Sequence, residues 1–224
     1  MKIRIEECCR YMGVRGEADA NTRALAESCL EELEGRVTPR FVMRDFPLTV
    51  DVSAGTVDLG CFSVQSRDLA RNLDGCTKVL LFGATLGEGP DLLIRRYGRV
   101  EVSRGLAMQA CSAAMIEAYC DELCAGWRSE YALKGYGMRP RFSPGYGDFD
   151  LSAQTRICDV LKTGKTIGVT LTDSLLMMPS KSVTAVIGLF RAENTEDGSS
   201  GCGVSEGARR CESCTMESCP YRGD

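Results

Sequence analysis

The sequence predicts an α+β fold in which helices pack on a mixed, mainly antiparallel twisted sheet. A long helical pattern runs from Val102 to about Lys134, and Thr77–Phe82 and Ser182–Phe190 have the length and apolar content of buried strands. Helices and strands do not alternate in a regular βαβ rhythm, which favours this class over a doubly wound fold. The 224 residues suffice for one large body with a short appendage.

The elements of the N-terminal half follow from local signals. Cap residues at Asp19–Thr22 and apolar positions at helical spacing predict a helix that closes at Gly35. The stretch Val37–Val52 is rich in Val, Phe and Thr but contains two prolines, which is typical of extended strands at a sheet edge. Ser66–Leu73, stopped by an Asp-Gly pair, predicts a short helix. Gly83–Gly89 lacks the order of a dinucleotide loop, so we interpret it as a strand-to-helix turn.

The C-terminal half begins with a predicted loop, Gly135–Phe149, that is dense in Gly, Pro and Tyr. A helix from about Ser152 follows, and we expect Gly164 to end it at the C′ position. Further strands are predicted near Thr166–Thr172 and Ser182–Phe190. Beyond them the composition becomes polar and glycine-rich. We therefore predict a folded body at 1–190, a flexible linker at 191–201 and a cysteine-rich tail at 202–224.

Composition excludes several function classes. The chain has no histidine, which excludes His-triad hydrolysis, His-ligated zinc and an imidazole base. A net charge of -4 provides no basic field for nucleic acid. The charged N-terminus and the lack of a long apolar stretch argue against a secretory signal or a membrane span. We expect a cytoplasmic protein with neither nucleic acid nor membrane as a partner.

We assign no function to two weaker sequence signals. Thr163–Thr166 imitates the end of a phosphate-binding loop, but Asp159 stands where that pattern requires an earlier glycine. Lys165 and Lys181 could be catalytic amines, yet nothing nearby in the sequence suggests desolvation, so we expect both to be solvated. No residue is assigned a catalytic role.

The tail carries four cysteines spaced as Cys202-x8-Cys211-x2-Cys214-x4-Cys219. A C-x2-C pair lets two sulfurs bind one centre, and four thiolates suit either an iron–sulfur cluster or tetrahedral zinc. We favour the cluster, with zinc and an unliganded tail as alternatives. The nine cysteines of the body lie among apolar neighbours and are interpreted as packing residues.

The densest polar and aromatic constellation of the body is Arg141–Phe149. It combines a cation, aromatic rings, a carboxylate and glycines that let a backbone approach a ligand. Such a loop suits a small polar molecule and equally suits a tight turn between two elements. The residues alone leave both interpretations open.

Three segments resemble the activation domain of cobalamin-dependent methionine synthase. Arg-x-x-Pro-Gly-Tyr, present as Arg141, Pro144, Gly145 and Tyr146, is similar to the family's S-adenosylmethionine-binding loop. Gly168–Val183 is similar to the family's Leu-Thr-Glu-Ser, Met-x-Pro and Ser-Val segment. The stretch Ile116–Leu123 resembles the helix that carries an acidic ligand residue. The resemblance runs from about residue 106 to 187 and implies that family's fold.

The resemblance also implies a ligand and roles for residues. Arg141 would pair with the carboxylate of S-adenosylmethionine and Glu117 with its amino group. Tyr146 and the backbone of Ser143, in the turn made by Pro144 and Gly145, would position the remainder. The chain departs from the family pattern at Gly135, where the family has a second acidic residue, and after Tyr146, where its Cys, Pro and His are missing.

The family's activity implies partners. The cobalamin would belong to a separate corrinoid protein, either a methionine synthase or a methyltransferase subunit, which this chain would help to reactivate reductively in trans. An electron donor would be a further partner, and a cluster in the tail could relay the electron. The alternative is a metal-binding interaction module that docks a corrinoid protein without binding S-adenosylmethionine.

Overall fold

A four-stranded antiparallel sheet lies between two layers of helices in the computed structural model, which describes residues 1 and 3–192. The helices are α1 (Ile5–Tyr11), α2 (Ala20–Glu34), α3 (Arg67–Asn72), α4 (Gly89–Val100), α5 (Val102–Leu133), α6 (Ala153–Leu161) and α7 (Thr163–Thr166). The strands are β1 (Arg40–Pro47), β2 (Thr49–Asp51), β3 (Thr56–Asp58), β4 (Ser63–Gln65), β5 (Lys78–Thr85), β6 (Tyr136–Met138), β7 (Thr170–Leu171), β8 (Met177–Met178) and β9 (Ser182–Arg191). Among the described residues, no helix is long and apolar enough to cross a membrane.

The main sheet has the order β1-β5-β9-β6, and β2-β3-β4 and β7-β8 form two smaller sheets. Every pairing between the described strands is antiparallel. The predicted α+β fold with a mainly antiparallel sheet is confirmed. We expected a mixed sheet, but the described residues form no parallel strand pair. The predicted edge position of the Val37–Val52 region is also confirmed, because β1 is an edge strand.

Both faces of the main sheet are buried, which explains the continuous apolar run of β5. Leu80 and Phe82 face a core shared with α1, α2, α4 and α5. Val79 and Leu81 face a second core shared with α3, α6 and the β2-β3-β4 sheet. Successive residues of a strand point to opposite faces, so a strand that is covered on both sides needs apolar residues at every position.

Local sequence signals account for the helices that were predicted. Asp19 caps α2 by accepting hydrogen bonds from the backbone N–H groups of Asn21, at 2.9 Å, and Thr22, at 3.0 Å. Ser66 caps α3 by accepting from the N–H of Leu69 at 3.0 Å. The long helix α5 follows its predicted bounds closely and packs against α1, α2 and α4. Its small residues permit these close approaches.

The prediction for the end of α6 is wrong. The helix stops at Leu161, because Lys162 adopts the left-handed conformation with φ of +53°. Gly164 lies inside the short helix α7 instead of capping α6. The strand predicted at Thr166–Thr172 shrinks to β7, because α7 occupies its start and Gly168 turns the chain with φ of +74°. The hydroxyl of Thr163 donates to the carbonyl of Val169 at 2.7 Å and fixes this compact corner.

The expectation of a solvated Lys181 is also wrong. Lys181 is only 6% exposed. This burial lowers the pKa of its ammonium group, although the charge of Asp91 acts to raise it. The neighbouring Ser180 donates hydrogen bonds to the Asp91 carboxylate, which fastens this segment to the first turn of α4. Lys165 is exposed, as predicted. Nothing in the residues around Lys181 predicted this contact between Ser180 and the first turn of α4.

The predicted linker at 191–201 begins at the end of β9, and its residues 193–201 lie outside the described residues, as does the whole cysteine tail at 202–224. Most of the nine body cysteines are buried, as expected of packing residues: Cys8, Cys9, Cys29, Cys76, Cys111, Cys120 and Cys158. Cys61 and Cys124 are half-buried.

Candidate functional site

The segment that carries Arg141 is an irregular continuation of β6 along β9. Met138 pairs with Leu189, and Phe142 forms the next pair with Val186 through two hydrogen bonds of 2.9 Å. Three residues, 139–141, lie between these pairs on one side, and two residues, 187 and 188, lie between them on the other. An extra residue of this kind bends a strand and redirects its side chains. The bulge therefore positions the Arg141 side chain toward α5.

The short strand β6 lies inside the predicted Gly135–Phe149 loop, so that prediction is wrong at this point. Gly137 explains why a strand forms in so glycine-rich a stretch. A Cβ atom at this position would clash with the ring of Phe190, so the missing side chain lets the ring lie over the backbone. Arg139 packs on the same Phe190 ring, with its guanidinium 5.2 Å from the ring centre.

Arg141 forms two ion pairs with α5. Its Nη2 atom lies 2.5 Å from Oε2 of Glu117 and 3.0 Å from Oδ1 of Asp121. The side chain is only 10% exposed, and its Nη1 atom is buried without a hydrogen-bond partner among the described residues. Burial acts to lower the pKa of the Arg141 guanidinium, but the carboxylate of Glu117 and then other nearby groups raise it above its ordinary value. Arg141 is therefore a fixed, permanently charged group with spare donor capacity.

The acidic partners lie one helical turn apart on α5. Glu117 was singled out from the sequence and Asp121 was not, although the two occur at i and i+4 and must share a face of the helix. That spacing is the signal that could have identified Asp121. Cys120 lies in the same region, and burial raises the pKa of its thiol to about 12, although the nearby Arg141 charge acts to lower it. This cysteine is a neutral packing group.

The turn after Arg141 is held by backbone hydrogen bonds. Tyr146 donates its N–H to the carbonyl of Ser143 at 3.2 Å, and Gly145 donates to the carbonyl of Phe149 at 2.8 Å. Gly145 has φ of +92°, which favours glycine at this position. Pro144 is buried, whereas the Tyr146 side chain is 65% exposed. The structure therefore presents an aromatic ring to solvent on a rigid turn that follows directly from Arg141.

Asp148 has a structural role, contrary to the interpretation of this loop as a ligand cradle with its own carboxylate. Its side chain accepts hydrogen bonds from Ser66 Oγ at 2.5 Å, from Arg67 N at 2.8 Å and from Asp68 N at 3.1 Å. The Ser66 hydroxyl and then these N–H groups hold the pKa of the Asp148 carboxyl below its usual range. Gly147 beside it has φ of +52°, which favours glycine, and a Cβ there would also meet the Asp68 carboxylate. Asp148 thus fastens the loop to the start of α3.

Asp148→Asn is expected to destabilise the protein by about 1 kcal/mol at neutral pH, roughly the net value of one hydrogen bond, because both carboxylate oxygens accept and the amide keeps only one acceptor. Since the folded-state pKa of Asp148 is lowered, its contribution is present above the unfolded-state pKa and is lost as the pH falls through the folded-state value. Thermal denaturation should therefore separate wild type from the variant at pH 7, and the difference should shrink progressively as the pH falls below about 4. Asp173→Asn, which changes an exposed carboxylate between β7 and β8, is the matched control. A difference between wild type and Asp148→Asn that stays constant from about pH 7 to about pH 2 would contradict this role.

No group of three or more acidic or cysteine side chains within residues 1 and 3–192 could hold a metal ion. The predicted metal ligands Cys202, Cys211, Cys214 and Cys219 lie outside the described residues. Of the predicted ligand-binding residues, the structure brings together Glu117 and Arg141, and Ser143, Pro144, Gly145 and Tyr146 form the turn that follows.

Comparisons with known proteins agree with this arrangement. Residues 127–196 match the family model described as "Vitamin B12 dependent methionine synthase, activation domain". That range includes Arg141 and its turn. A solved structure titled "Crystal Structure of the MetH Reactivation Domain bound to AdoHcy" matches with a TM-score of 0.59 and 15% sequence identity, covering 86% of this chain and 77% of that chain. No curated protein sequence matches the chain.

The structural match establishes the fold of the body, and the family model adds a sequence relationship over the segment that carries Arg141. The family match rests on sequence and is independent of the geometry described above. Both findings agree with the resemblance drawn from the Arg141–Tyr146 motif. Residues 127–196 are therefore similar in sequence to the vitamin B12 dependent methionine synthase activation domains, and the body shares the fold of a reactivation domain.

Proposed function

We propose that the body binds S-adenosylmethionine through Arg141 and Glu117 and supports the reductive reactivation of a separate corrinoid-bearing methionine synthase or methyltransferase subunit. The observation that supports this most strongly is the convergence of a buried guanidinium and a carboxylate from segments 24 residues apart. The two groups are complementary to the carboxylate and the ammonium at the amino-acid end of the ligand. The related reactivation domain was crystallised with AdoHcy, the demethylated form of the same molecule.

The residues present fit this ligand. Arg141 Nη1 is a buried donor without a partner in the described part of the chain, and such a group costs free energy unless it is hydrogen-bonded. A ligand carboxylate would satisfy it, and the planar guanidinium suits a carboxylate better than an ammonium does, because it can donate two parallel hydrogen bonds. Glu117 is 36% exposed and can accept from a ligand ammonium while it keeps its contact with Arg141.

S-adenosylmethionine, when bound, would supply an electrophilic methyl group. The residues of this chain hold and orient the ligand, and alignment of donor and acceptor suffices for a displacement reaction. The bulge before Arg141 and the two backbone hydrogen bonds of Phe142 hold this segment on the sheet. The backbone from which the Arg141 guanidinium extends is therefore fixed. Tyr146 offers an exposed aromatic ring on the turn that follows Arg141. No acid, base or nucleophile of the body is needed for this role.

The cobalamin would be carried by the partner, with which this chain would act in trans in the cytoplasm, together with an electron donor. Capture experiments test this part of the proposal. The full chain is immobilised and exposed to a purified corrinoid methionine synthase and a purified corrinoid methyltransferase subunit. Retention of either one is the expected result, and retention of neither would contradict action on a separate corrinoid protein.

The cysteine tail is the proposed site of an iron–sulfur cluster that relays the electron. Protein purified without oxygen should then be brown, and the joint replacements Cys211→Ser and Cys214→Ser should remove the visible absorbance. Cys61→Ser changes a half-buried thiol of the body and should leave the absorbance unchanged. A colourless preparation that contains zinc alone would contradict the cluster and would make the tail a structural zinc site.

One observation favours the second candidate, a metal-binding module that docks a corrinoid protein without a methyl donor. Arg141 is already balanced by two carboxylates of its own chain, so its charge does not demand a ligand. Calorimetric titration with S-adenosylmethionine separates the two candidates. Heat that disappears in Arg141→Ala supports the first, and the absence of heat in both proteins supports the second.

A further inference from the structure

Both acidic partners of Arg141 use the same nitrogen atom. Glu117 Oε2 and Asp121 Oδ1 lie 2.5 Å and 3.0 Å from Nη2, whereas Nη1 has no partner among the described residues. Glu117 accepts a hydrogen bond from Nη2, whereas Asp121 contacts the same nitrogen as an ion pair. A carboxylate that binds in the forked, two-bond manner across the end of the guanidinium needs one hydrogen from Nη1 and one from Nη2. Two carboxylate oxygens already lie within 3.0 Å of Nη2, so a ligand oxygen that approaches it meets their like charge, which favours departure of one of them.

We propose that Asp121 is the residue that leaves, so that it competes with the ligand carboxylate for Arg141 and sets the affinity of the site. This inference rests on the proposed function, because it assigns a positioning role at the same ligand site. Asp121 is the weaker of the two partners by both distance and exposure. Its side chain is 65% exposed against 36% for Glu117, and its contact is 0.5 Å longer (3.0 − 2.5).

Physical costs favour release of Asp121 over release of Glu117. An exposed carboxylate regains its hydration when it separates from the guanidinium, so its displacement costs little. Glu117 is less exposed and would lose a shorter contact. Once displaced, Asp121 remains on α5 near the incoming carboxylate, and the two like charges repel each other. Asp121 therefore weakens binding of ligands that carry a carboxylate and leaves other ligands unaffected.

Calorimetry on the full chain tests this role with two ligands. S-adenosylhomocysteine carries the amino-acid carboxylate, and 5′-methylthioadenosine shares the nucleoside and the thioether but lacks the amino-acid end. Asp121→Asn should bind S-adenosylhomocysteine about two- to fivefold more tightly than wild type, the effect expected for an exposed ion pair. The affinity for 5′-methylthioadenosine should not change. Asp121→Glu keeps the carboxylate and should restore affinity toward the wild-type value.

Glu122→Gln is the matched control. It removes the same charge from the neighbouring position of α5, where Glu122 is 62% exposed and pairs with the N-terminal ammonium at 3.3 Å instead of with Arg141. It should leave both affinities unchanged. Tighter binding in Glu122→Gln, or tightening of both ligands in Asp121→Asn, would show a general charge effect and overturn the assignment.

The outcomes also separate this inference from the proposed function. If wild type binds S-adenosylhomocysteine and Asp121→Asn binds it equally or more weakly, only the role of Asp121 is overturned. If wild type binds neither S-adenosylhomocysteine nor S-adenosylmethionine, the ligand site itself is wrong, and both the proposed function and the role of Asp121 fall with it.

Discussion

Replacing Arg141 by alanine is expected to weaken binding of S-adenosylhomocysteine by about 30-fold or more, the effect of truncating one member of a buried, hydrogen-bonded charge pair. The guanidinium is 10% exposed and is the only cation that the described residues place against Glu117 in an ion pair. Its removal takes away the donor for the ligand carboxylate and leaves Glu117 without its counter-charge. The loss should appear in calorimetric titrations of the full chain.

Stability should fall in the same variant. Breaking a fully buried pair costs about 3–5 kcal/mol, but Glu117 is 36% exposed and can regain water. We therefore expect a smaller loss, about 2 kcal/mol, which corresponds to a decrease of roughly 4–8 °C in the melting temperature. Binding must be measured well below that temperature so that the two effects remain separate.

Two further variants serve as comparisons for Arg141→Ala. Arg141→Lys keeps the charge but loses the forked donor geometry, so it should bind the ligand more weakly than wild type and more tightly than Arg141→Ala. Arg139→Ala changes an arginine two residues away, which donates to the carbonyl of Asp74 at 2.9 Å and does not pair with α5. Its ligand affinity should match wild type. Equal affinity of wild type and Arg141→Ala would contradict the proposed site.

The second large effect is expected from Phe82→Ala. Phe82 is fully buried on the central strand β5, and its ring packs edge-on against Trp127 of α5 at a centroid distance of 5.1 Å. Truncating a buried phenylalanine removes apolar burial and leaves a cavity, which together cost about 3–5 kcal/mol. The melting temperature should fall by roughly 6–20 °C for a domain of this size. Differential scanning calorimetry measures the change.

Phe41→Ala is the control for this prediction. Phe41 contacts the same Trp127 ring at 5.8 Å, but it lies on the edge strand β1 and is 46% exposed. It shares the aromatic contact with Phe82 and lacks the burial, so its replacement should cost clearly less. Equal losses in the two variants would show that the tryptophan contact, and not burial between sheet and helix, stabilises this part of the core.

The elements that the sequence predicted well are those in which local and tertiary preferences agree. The cap at Asp19, the cap at Ser66 and the long apolar pattern of α5 each have a cause within a few residues, and each appears in the structure. The strand β6 has no such cause. It forms because Phe190 on β9 covers Gly137, which is a contact between residues 53 positions apart (190 − 137).

The same distinction applies to the site. The resemblance identified Arg141 and Glu117, and the structure joins them across α5 and the bulge next to β9. The turn at Ser143–Tyr146 was also anticipated. The contacts that Asp148 and Asp121 make could not be predicted. Asp148 lies in the Arg141–Phe149 constellation but fastens α3, and Asp121, which was assigned no role in the Ile116–Leu123 segment, contacts Arg141. Both facts depend on how distant elements pack.

In the proposed site, Arg141 and Glu117 hold the amino-acid end of the ligand. A crystal structure of the protein with S-adenosylhomocysteine is the decisive test of this claim. We expect the ligand carboxylate to contact Nη1 and Nη2 of Arg141 and the ligand ammonium to contact Glu117. A ligand bound elsewhere on the body, with Glu117 and Asp121 both still on Arg141, would contradict the claim.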